Sequence, residues 1–191
     1  IKIAEKCEKE RVRLVLDECF VQFLTSGEEA SMQLETGRFR YLFVLQAFTK
    51  IYAVPGIRLG YGISSDKALL ERMETVRQPW SVSTPAQAAG LSALKEDHRE
   101  EQTRQLVKSE RERMEKELEN LRIEYIPSEA NFLLFNSEIN WFEELKKRGI
   151  LIRDCANYRG LGNGWYRLAV RLPEENDRLL ECMKQVLNER S

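Results

Sequence analysis

Short apolar runs alternate with charged, helix-like segments along the 191-residue chain. Three early runs, Arg11–Leu16, Tyr41–Leu45 and Ile57–Ile63, are rich in β-branched and aromatic residues and predict strands. Only eleven residues join the second run to the third. A parallel connection needs about a dozen residues or more, so we expect this pair to be antiparallel, with Lys50 on the connecting loop.

Helical spacing of apolar residues and well-placed capping residues predict five helices. They are expected at residues 66–77, 84–95, 97–121, 138–148 and 173–188. The second is expected to have Thr84 as its N-cap and Pro85 in the first helical position, and Gly149 is expected to terminate the fourth. The third helix carries an apolar seam of only about two heptads, which favours a connector between two lobes over a coiled coil.

Two domains are predicted. Residues 1–96 provide three strands of what should be a larger α/β sheet, leaving an edge where further strands would pair. Residues 97–191 combine the connecting helix with two more helices and with three short strands, at 131–135, 150–153 and 165–171, which predicts a small α+β domain. The chain starts at Ile1 without a methionine, and we expect the front of a larger protein to be missing.

Charge and composition narrow the range of functions. Thirty basic residues balance thirty-one acidic ones and leave a net charge of −1, so no basic surface predicts nucleic-acid binding. No apolar run is long enough to cross a membrane and no signal peptide opens the chain, which favours a cytoplasmic protein. The four cysteines include no Cys-x-x-Cys pair and the chain has one histidine, so we expect no metal site.

The most informative segment surrounds Lys50. This lysine stands eight residues before Arg58, and a Pro-Gly turn and the start of an apolar strand connect the two. The segment resembles the lysine region of fold-type-I, class I/II aminotransferase-like enzymes, and most of all their branch of threonine-phosphate decarboxylases and histidinol-phosphate aminotransferases. The resemblance implies that Lys50 forms a Schiff base with pyridoxal phosphate, that Arg58 clamps the cofactor phosphate with its planar fork of donors, and that Thr49 adds a hydroxyl contact.

A second segment, around Asp17, agrees with this resemblance. Asp17 lies at the carboxyl end of a predicted strand, where open α/β sheets bind their ligands. In the family the matching aspartate keeps the pyridine nitrogen protonated, which makes the ring an electron sink. Phe20 stands where many members have a tyrosine that contacts the ring oxygen. Ala47 departs from the family's usual Ser or Thr, and the lost phosphate hydrogen bond is expected to weaken cofactor binding by about 1–3 kcal/mol.

Residues 150–171 resemble the segment of the family's small domain that binds substrate. Arg167 falls where the family's arginine binds the substrate α-carboxylate, and Arg153 where the branch acting on phosphorylated substrates binds the distal phosphate. Arg171 is a further candidate. Two arginines on neighbouring strands suit a substrate with two anionic groups, such as an amino-acid phosphate.

The resemblance covers nearly the whole chain but only the carboxyl-terminal half of the enzymes concerned. It implies part of the large α/β domain that binds pyridoxal phosphate, followed by the small α+β domain of fold type I. The reaction expected is decarboxylation of L-threonine O-3-phosphate, a step of cobalamin biosynthesis, in a homodimeric parent protein. Two alternatives stay open. One is an aminotransferase such as the histidinol-phosphate enzyme, and the other is a folded fragment without catalytic activity.

Overall fold

The structure, a computed structural model, describes residues 1–96 and 98–190, and of Glu28 only the backbone. The chain divides into two compact units, Ile1–Gln102 and Thr103–Ser191. Asp97, at which the predicted second domain begins, lies outside the described residues, as does Ser191. Both units combine helices with a sheet, so the expected α/β fold class is confirmed.

A three-stranded sheet forms the frame of the first unit. Its strands are β1 (Leu14–Asp17), β2 (Leu42–Ala47) and β3 (Gly60–Ile63), in that spatial order. β1 runs parallel to β2, and β3 is antiparallel to β2, as the short connection predicts. Two of the predicted strands are shorter than expected at their amino ends, because residue 11 terminates a helix in the left-handed conformation and residue 57 belongs to a 3-10 turn.

Among the described residues, four α-helices accompany this sheet. They are α1 (Lys2–Glu10), α2 (Phe48–Ile51), α3 (Lys67–Val76) and α4 (Thr84–Ala93). α1 was not predicted, and its Ala4 packs in the core with Phe39, Leu42 and Val44. The N-cap of α4 is Ser83 and not Thr84, because Ser83 has an extended backbone and its hydroxyl accepts a hydrogen bond from the Ala86 N–H at 3.3 Å.

An antiparallel sheet of four strands forms the second unit. The long helix α5 (Arg99–Asn120) leads into it, followed by β4 (Glu124–Ile126), β5 (Phe132–Asn136), α6 (Trp141–Lys147), β6 (Arg153–Asp154), β7 (Trp165–Ala169) and α7 (Pro173–Asn188). The spatial order of the strands is β4-β5-β7-β6. The sequence did not predict β4, whose three residues are too few to show a period. Of the strand predicted at residues 150–153, only Arg153 pairs with β7.

Gly149 ends α6 as predicted. It has φ of +74°, its N–H donates to the Lys146 carbonyl, and the Ile150 N–H donates to the Leu145 carbonyl. This pair of bonds is a Schellman motif, which needs a left-handed residue and therefore favours glycine. The motif turns the chain out of α6 and towards β6, which carries one of the predicted substrate arginines.

Alternation along β7 sets which side chains face outward. Tyr166 and Leu168 are buried in the core of the second unit together with Phe135 and Trp141. Because successive residues of a strand point to opposite faces, Arg167 lies on the opposite, outer face of the sheet. The helices of the described residues include none long and apolar enough to span a membrane.

Candidate active site

The residues predicted to bind the cofactor gather at one edge of the first sheet. Asp17 ends β1, and its register partner on β2 is Leu45. Lys50 follows the end of β2 in the chain, and Arg58 precedes the start of β3 by two residues. Because parallel β1 and β2 end at the same edge, and antiparallel β3 begins there, these three side chains belong to one edge of the sheet.

Lys50 lies in the connection between β2 and β3, where a loop was expected, and this part of the connection forms the one-turn helix α2. The Phe48 N–H at the start of α2 donates to the Leu59 carbonyl at 3.2 Å, which ties the turn to the chain entering β3. Ile51 is buried, with 2% of its surface exposed, while the preceding Lys50 is exposed. The buried isoleucine therefore anchors the turn and directs the lysine away from the core.

Phe20 is the aromatic partner of Lys50. The Nζ atom of Lys50 lies 5.4 Å from the centroid of the Phe20 ring, which is a cation–π contact. Lys50 makes no ion pair with any carboxylate among the described residues. The amine thus contacts a neutral ring, without a permanent salt bridge that a cofactor would have to break.

The carboxyl group of Asp17 is kept ionised by its neighbour Cys19. Hydrogen bonds from the Cys19 thiol and from the Cys19 backbone N–H, which lies 3.1 Å from Asp17 Oδ1, hold the pKa of Asp17 below its ordinary value. Burial, followed by the hydrogen bond to Asp17, raises the pKa of the Cys19 thiol to about 11. At neutral pH the pair therefore consists of a carboxylate and a protonated thiol, and the carboxylate can accept a further hydrogen bond.

Arg58 adopts a conformation that is uncommon outside glycine. Its φ is 58° and its ψ 46°, and its Nη1 donates to the Pro55 carbonyl at 3.2 Å. A left-handed backbone at a non-glycine residue costs free energy and persists only where the surroundings impose it. The next residue, Leu59, packs against Gly90 of α4, where a Cβ would come within 2.5 Å of Leu59 Cδ2. Arg58 forms no ion pair with a described carboxylate.

Thr49 and Ala47 lie just before Lys50 in the chain. Thr49 is half-buried within α2. Ala47 is the last residue of β2 and the N-cap of α2, and its side chain provides no capping hydrogen bond. The structure thus places Ala47 directly before the turn that carries Lys50, at the position where the family usually has a hydroxyl.

A buried polar network next to this edge was missed by sequence reasoning. The Gln46 side chain is 4% exposed, and its Nε2 donates to Glu18 Oε2 at 3.1 Å. The other oxygen of Glu18 accepts a hydrogen bond from the Met32 N–H at 2.8 Å. The only signal in the sequence is a polar residue inside an otherwise apolar strand. The network links β2 to the chain segment after β1 and so helps to position both Asp17 and Lys50.

The second unit carries the two predicted substrate arginines. Arg153 and Arg167 are direct register partners on β6 and β7, so their side chains share the outer face of the sheet with Cβ atoms about 4.5–5.5 Å apart. The guanidinium carbon of Arg167 lies 5.0 Å from the centroid of the Phe132 ring. Neither arginine forms an ion pair with a carboxylate of the described residues.

Arg171 differs from these two. It lies beyond the end of β7, and its Nη2 forms an ion pair with Glu175 Oε1 at 2.8 Å. Its backbone N–H donates to Asn176 Oδ1 at 3.0 Å. An arginine whose charge is already matched by a carboxylate is a weaker candidate for substrate binding than Arg153 or Arg167.

The edge of the first sheet fits pyridoxal phosphate. It offers a primary amine on Lys50, an ionised carboxylate on Asp17 and a guanidinium on Arg58 that has no acidic partner among the described residues. These are the groups needed for the aldehyde, the protonated ring nitrogen and the phosphate of that cofactor. The described residues include no group of three or more His, Cys, Asp or Glu side chains that could hold a metal ion.

Comparison with curated proteins finds relatives with two activities. The chain is 36% identical over 189 residues to the threonine-phosphate decarboxylase of Salmonella typhimurium, covering 97% of this chain and 51% of that protein. It is also 36% identical over 186 residues to histidinol-phosphate aminotransferase 1 of Archaeoglobus fulgidus, covering 97% of this chain and 55% of that protein. The chain thus spans about half the length of the curated relatives that it matches.

A solved structure and a family model complete the comparison. The histidinol-phosphate aminotransferase of Clostridium acetobutylicum superposes with a TM-score of 0.92 at 30% identity, covering 98% of this chain and 58% of that one. Residues 1–182 match the family model described as aminotransferase class I and II, a family that depends on pyridoxal phosphate. The chain therefore belongs to the class I and II aminotransferase family.

Proposed function

We propose that the chain is part of a pyridoxal-phosphate-dependent enzyme that decarboxylates L-threonine O-3-phosphate to aminopropanol phosphate, a step of cobalamin biosynthesis. The observation that carries the proposal is the direct pairing of Arg153 and Arg167 on one face of the sheet. Two unneutralised guanidinium groups at this spacing suit a substrate with a carboxylate and a phosphate. The 36% identity to a threonine-phosphate decarboxylase supports the choice of reaction.

The residues of the first unit have distinct roles in this proposal. Lys50 would hold the cofactor through its amine, Asp17 would keep the ring nitrogen protonated, and Arg58 with Thr49 would bind the cofactor phosphate. Phe20 would contact the ring region without adding a hydrogen bond. When bound, the cofactor supplies an electron sink for the electron pair left by bond cleavage at the substrate α-carbon.

The arginines of the second unit would bind and orient the substrate. Arg167 would bind the α-carboxylate and Arg153 the distal phosphate, each through paired N–H donors. Holding both ends of the substrate would restrict the orientation of its α-carbon. After the loss of carbon dioxide the α-carbon needs a proton, and a primary amine such as that of Lys50 is a group that can supply one.

An aminotransferase of the histidinol-phosphate type is the second candidate. The equal identity to the Archaeoglobus fulgidus enzyme favours it, as does the similarity to the Clostridium acetobutylicum structure. Incubation of the full-length protein with L-threonine O-3-phosphate separates the two, by measuring released carbon dioxide against transfer of the amino group to a keto acid. Transfer without release of carbon dioxide would exclude the decarboxylase.

A folded unit without activity of its own is the third candidate. The chain spans about half the length of its relatives, and we expect the 191-residue chain alone to turn over substrate poorly or not at all. Turnover by this chain without any partner would contradict that expectation. A homodimeric, cytoplasmic parent protein also belongs to the proposal, and the mass of the full-length protein in solution tests its dimeric state.

A further inference from the structure

Arg153 is held by two neutral side chains of the loop that follows β6. Its Nη2 donates to Asn157 Oδ1 at 3.3 Å, and its guanidinium carbon lies 5.7 Å from the centroid of the Tyr158 ring. Neither partner brings a negative charge. The two contacts therefore restrict the direction of the guanidinium group but leave its positive charge uncompensated.

The loop itself is held in place by its own hydrogen bonds. The Cys155 N–H donates to the Trp165 carbonyl at 2.9 Å, and the Tyr158 N–H donates to the Cys155 carbonyl at 2.9 Å. The Cys155 side chain is buried, with 2% of its surface exposed. These bonds fix the backbone that carries Asn157 and Tyr158, so both side chains are presented to Arg153 from a defined turn.

The acidic residue next to Arg153 does not neutralise it. Asp154 Oδ1 accepts a hydrogen bond from the Ala156 N–H at 2.8 Å and thus serves the backbone of the loop. Among the described residues Asp154 forms no ion pair with Arg153 or Arg167. Like charges directly opposite each other destabilise a pair of strands, and an anion bound between the two arginines would relieve that repulsion.

We propose that Asn157 and Tyr158 are positioning residues that aim Arg153 at the phosphate of a phosphorylated amino acid. This inference rests on the proposed function and adds how the preference for a phosphorylated over an unphosphorylated substrate arises. The amide of Asn157 orients the guanidinium group of Arg153 without neutralising it. A carboxylate at position 157 would form an ion pair with Arg153 and so compete with the phosphate. The ring of Tyr158 restricts the long side chain and lowers the entropy lost when phosphate binds.

The test compares L-threonine O-3-phosphate with L-threonine as ligands of the 191-residue chain. Guanidinium N–H resonances report binding by NMR, and Arg153→Lys identifies the Arg153 signal. We expect the phosphorylated ligand to bind more tightly and to shift that signal. Asn157→Asp, which is isosteric, should weaken phosphorylated-ligand binding about tenfold or more, because it offers the guanidinium a charged hydrogen-bond partner. Tyr158→Leu should weaken it about two- to fivefold, and Tyr158→Phe should not.

A matched variant excludes a simple effect of net charge. Asn163→Asp makes the same change in the same loop, at an exposed residue that forms no hydrogen bond with Arg153 among the described residues, and it should bind like the unaltered chain. Equal weakening by both Asn→Asp variants, or no preference for phosphate in the unaltered chain, would overturn the inference. Should Asn157→Asp not fold, the difference between Tyr158→Leu and Tyr158→Phe decides the matter.

Failure of the proposed reaction and failure of the positioning role give different experimental results. A chain that prefers the phosphorylated ligand and loses this preference in Asn157→Asp, while the full-length protein releases no carbon dioxide, would leave the positioning role intact and exclude the decarboxylase. If the full-length protein releases carbon dioxide but Asn157→Asp binds the phosphorylated ligand as tightly as the unaltered chain, the decarboxylase is supported and the positioning role is excluded.

Discussion

The ammonium group of Lys50 lies 5.4 Å from the centroid of the Phe20 ring, and this contact joins the segment after β1 to the turn after β2. A cation–π contact at an exposed site contributes about 0.5–1 kcal/mol. It is thus strong enough to favour one orientation of the lysine and weak enough to be replaced by a bound cofactor. A lysine that must react through its amine benefits from such a partner more than from a salt bridge.

This arrangement predicts selective capture of pyridoxal phosphate. After incubation with pyridoxal phosphate and reduction with borohydride, we expect peptide mass mapping to find one stable adduct, on Lys50. Lys50→Arg should abolish it, because a guanidinium group does not form the imine that borohydride reduces. Lys67→Arg, a change at an exposed lysine at the start of α3, should leave the adduct in place.

Adducts scattered over many lysines in the unaltered chain would contradict this prediction. Such a result would show that the edge formed by β1, β2 and β3 does not by itself hold the cofactor. Family membership would not be affected, since it rests on the match over residues 1–182.

Ala47→Ser is expected to improve cofactor binding. The family usually has a hydroxyl at this position, and restoring its hydrogen bond to the phosphate is expected to strengthen cofactor binding by about 1–3 kcal/mol. The serine would also cap α2, which lacks a side-chain cap, and so add about 0.5–2 kcal/mol to stability. Spectroscopic titration with pyridoxal phosphate measures the first effect, and thermal unfolding without cofactor measures the second.

The two effects of Ala47→Ser are separable. Ala93→Ser, at the last residue of α4, is the matched control and should change neither quantity by much. A more stable protein with unchanged cofactor affinity would show that the introduced hydroxyl caps α2 and does not reach the phosphate.

The sequence indicated candidate site residues more readily than the backbone that carries them. Asp17, Lys50 and Arg58 were singled out because their segments resemble those of the family, and Asp17 also because it ends an apolar run that predicts a strand. The helical turn around Lys50 could not be predicted, because a turn of four residues has no period and depends on the bond from the Phe48 N–H to the Leu59 carbonyl. Local pattern does not reveal such long-range bonds.

In the second unit, too, local sequence patterns do not reveal the contacts that position the candidate residues. Arg153 and Arg167 were predicted on neighbouring strands, but their direct pairing depends on the register of β6 and β7, which single-sequence patterns specify weakly. The contacts of Asn157 and Tyr158 with Arg153 depend on the loop conformation, and three glycines with positive φ (Gly160, Gly162 and Gly164) contribute to it. Loops of this kind follow tertiary contacts more than local propensity.

Gly62 of β3 is predicted to stabilise the sheet that positions Lys50 and Arg58. A Cβ at this residue would lie 2.3 Å from Cζ of the buried Phe43 ring on β2, so the ring or the strand would have to shift. Gly62→Ala should therefore lower the free energy of unfolding by about 1–3 kcal/mol. Gly37→Ala, where nothing lies within 4 Å of the added Cβ, should change it by less than about 0.5 kcal/mol.

Replacing Phe43 by a smaller residue tests whether its ring is the reason for the glycine at position 62. In the double variant Phe43→Leu/Gly62→Ala, the smaller leucine leaves space for the added methyl group. The decrease in the free energy of unfolding of the double variant should therefore be smaller than the sum of the decreases in the two single variants. Additive losses, measured by chemical denaturation, would show that the contact with Phe43 is not the reason for the glycine.

Glu110 is expected to stabilise the second unit in a pH-dependent way. Its Oε2 forms an ion pair with Arg113 Nη2 at 2.7 Å and accepts a hydrogen bond from Asn176 Nδ2 at 2.7 Å. The bond from Arg113 is the main cause that holds the pKa of Glu110 below its ordinary value of 4.5, and the bond from Asn176 adds to it. A lowered pKa means that this contribution is fully present above about pH 4.5 and is lost as the pH falls through the lower, folded value.

Glu110→Gln removes the charge and keeps the shape of the side chain. At neutral pH it should lower the free energy of unfolding by about 1.5–3 kcal/mol, because bonds to a charged group are lost in a buried position. The difference from the unaltered protein should shrink as the pH falls below 4.5, when the native carboxylate becomes protonated as well. Glu112→Gln, an exposed change on the same helix, should alter stability by less than about 0.5 kcal/mol at any pH. If the decrease in the free energy of unfolding caused by Glu110→Gln stays constant from neutral to acid pH, packing and not the charge of Glu110 stabilises this part of the unit.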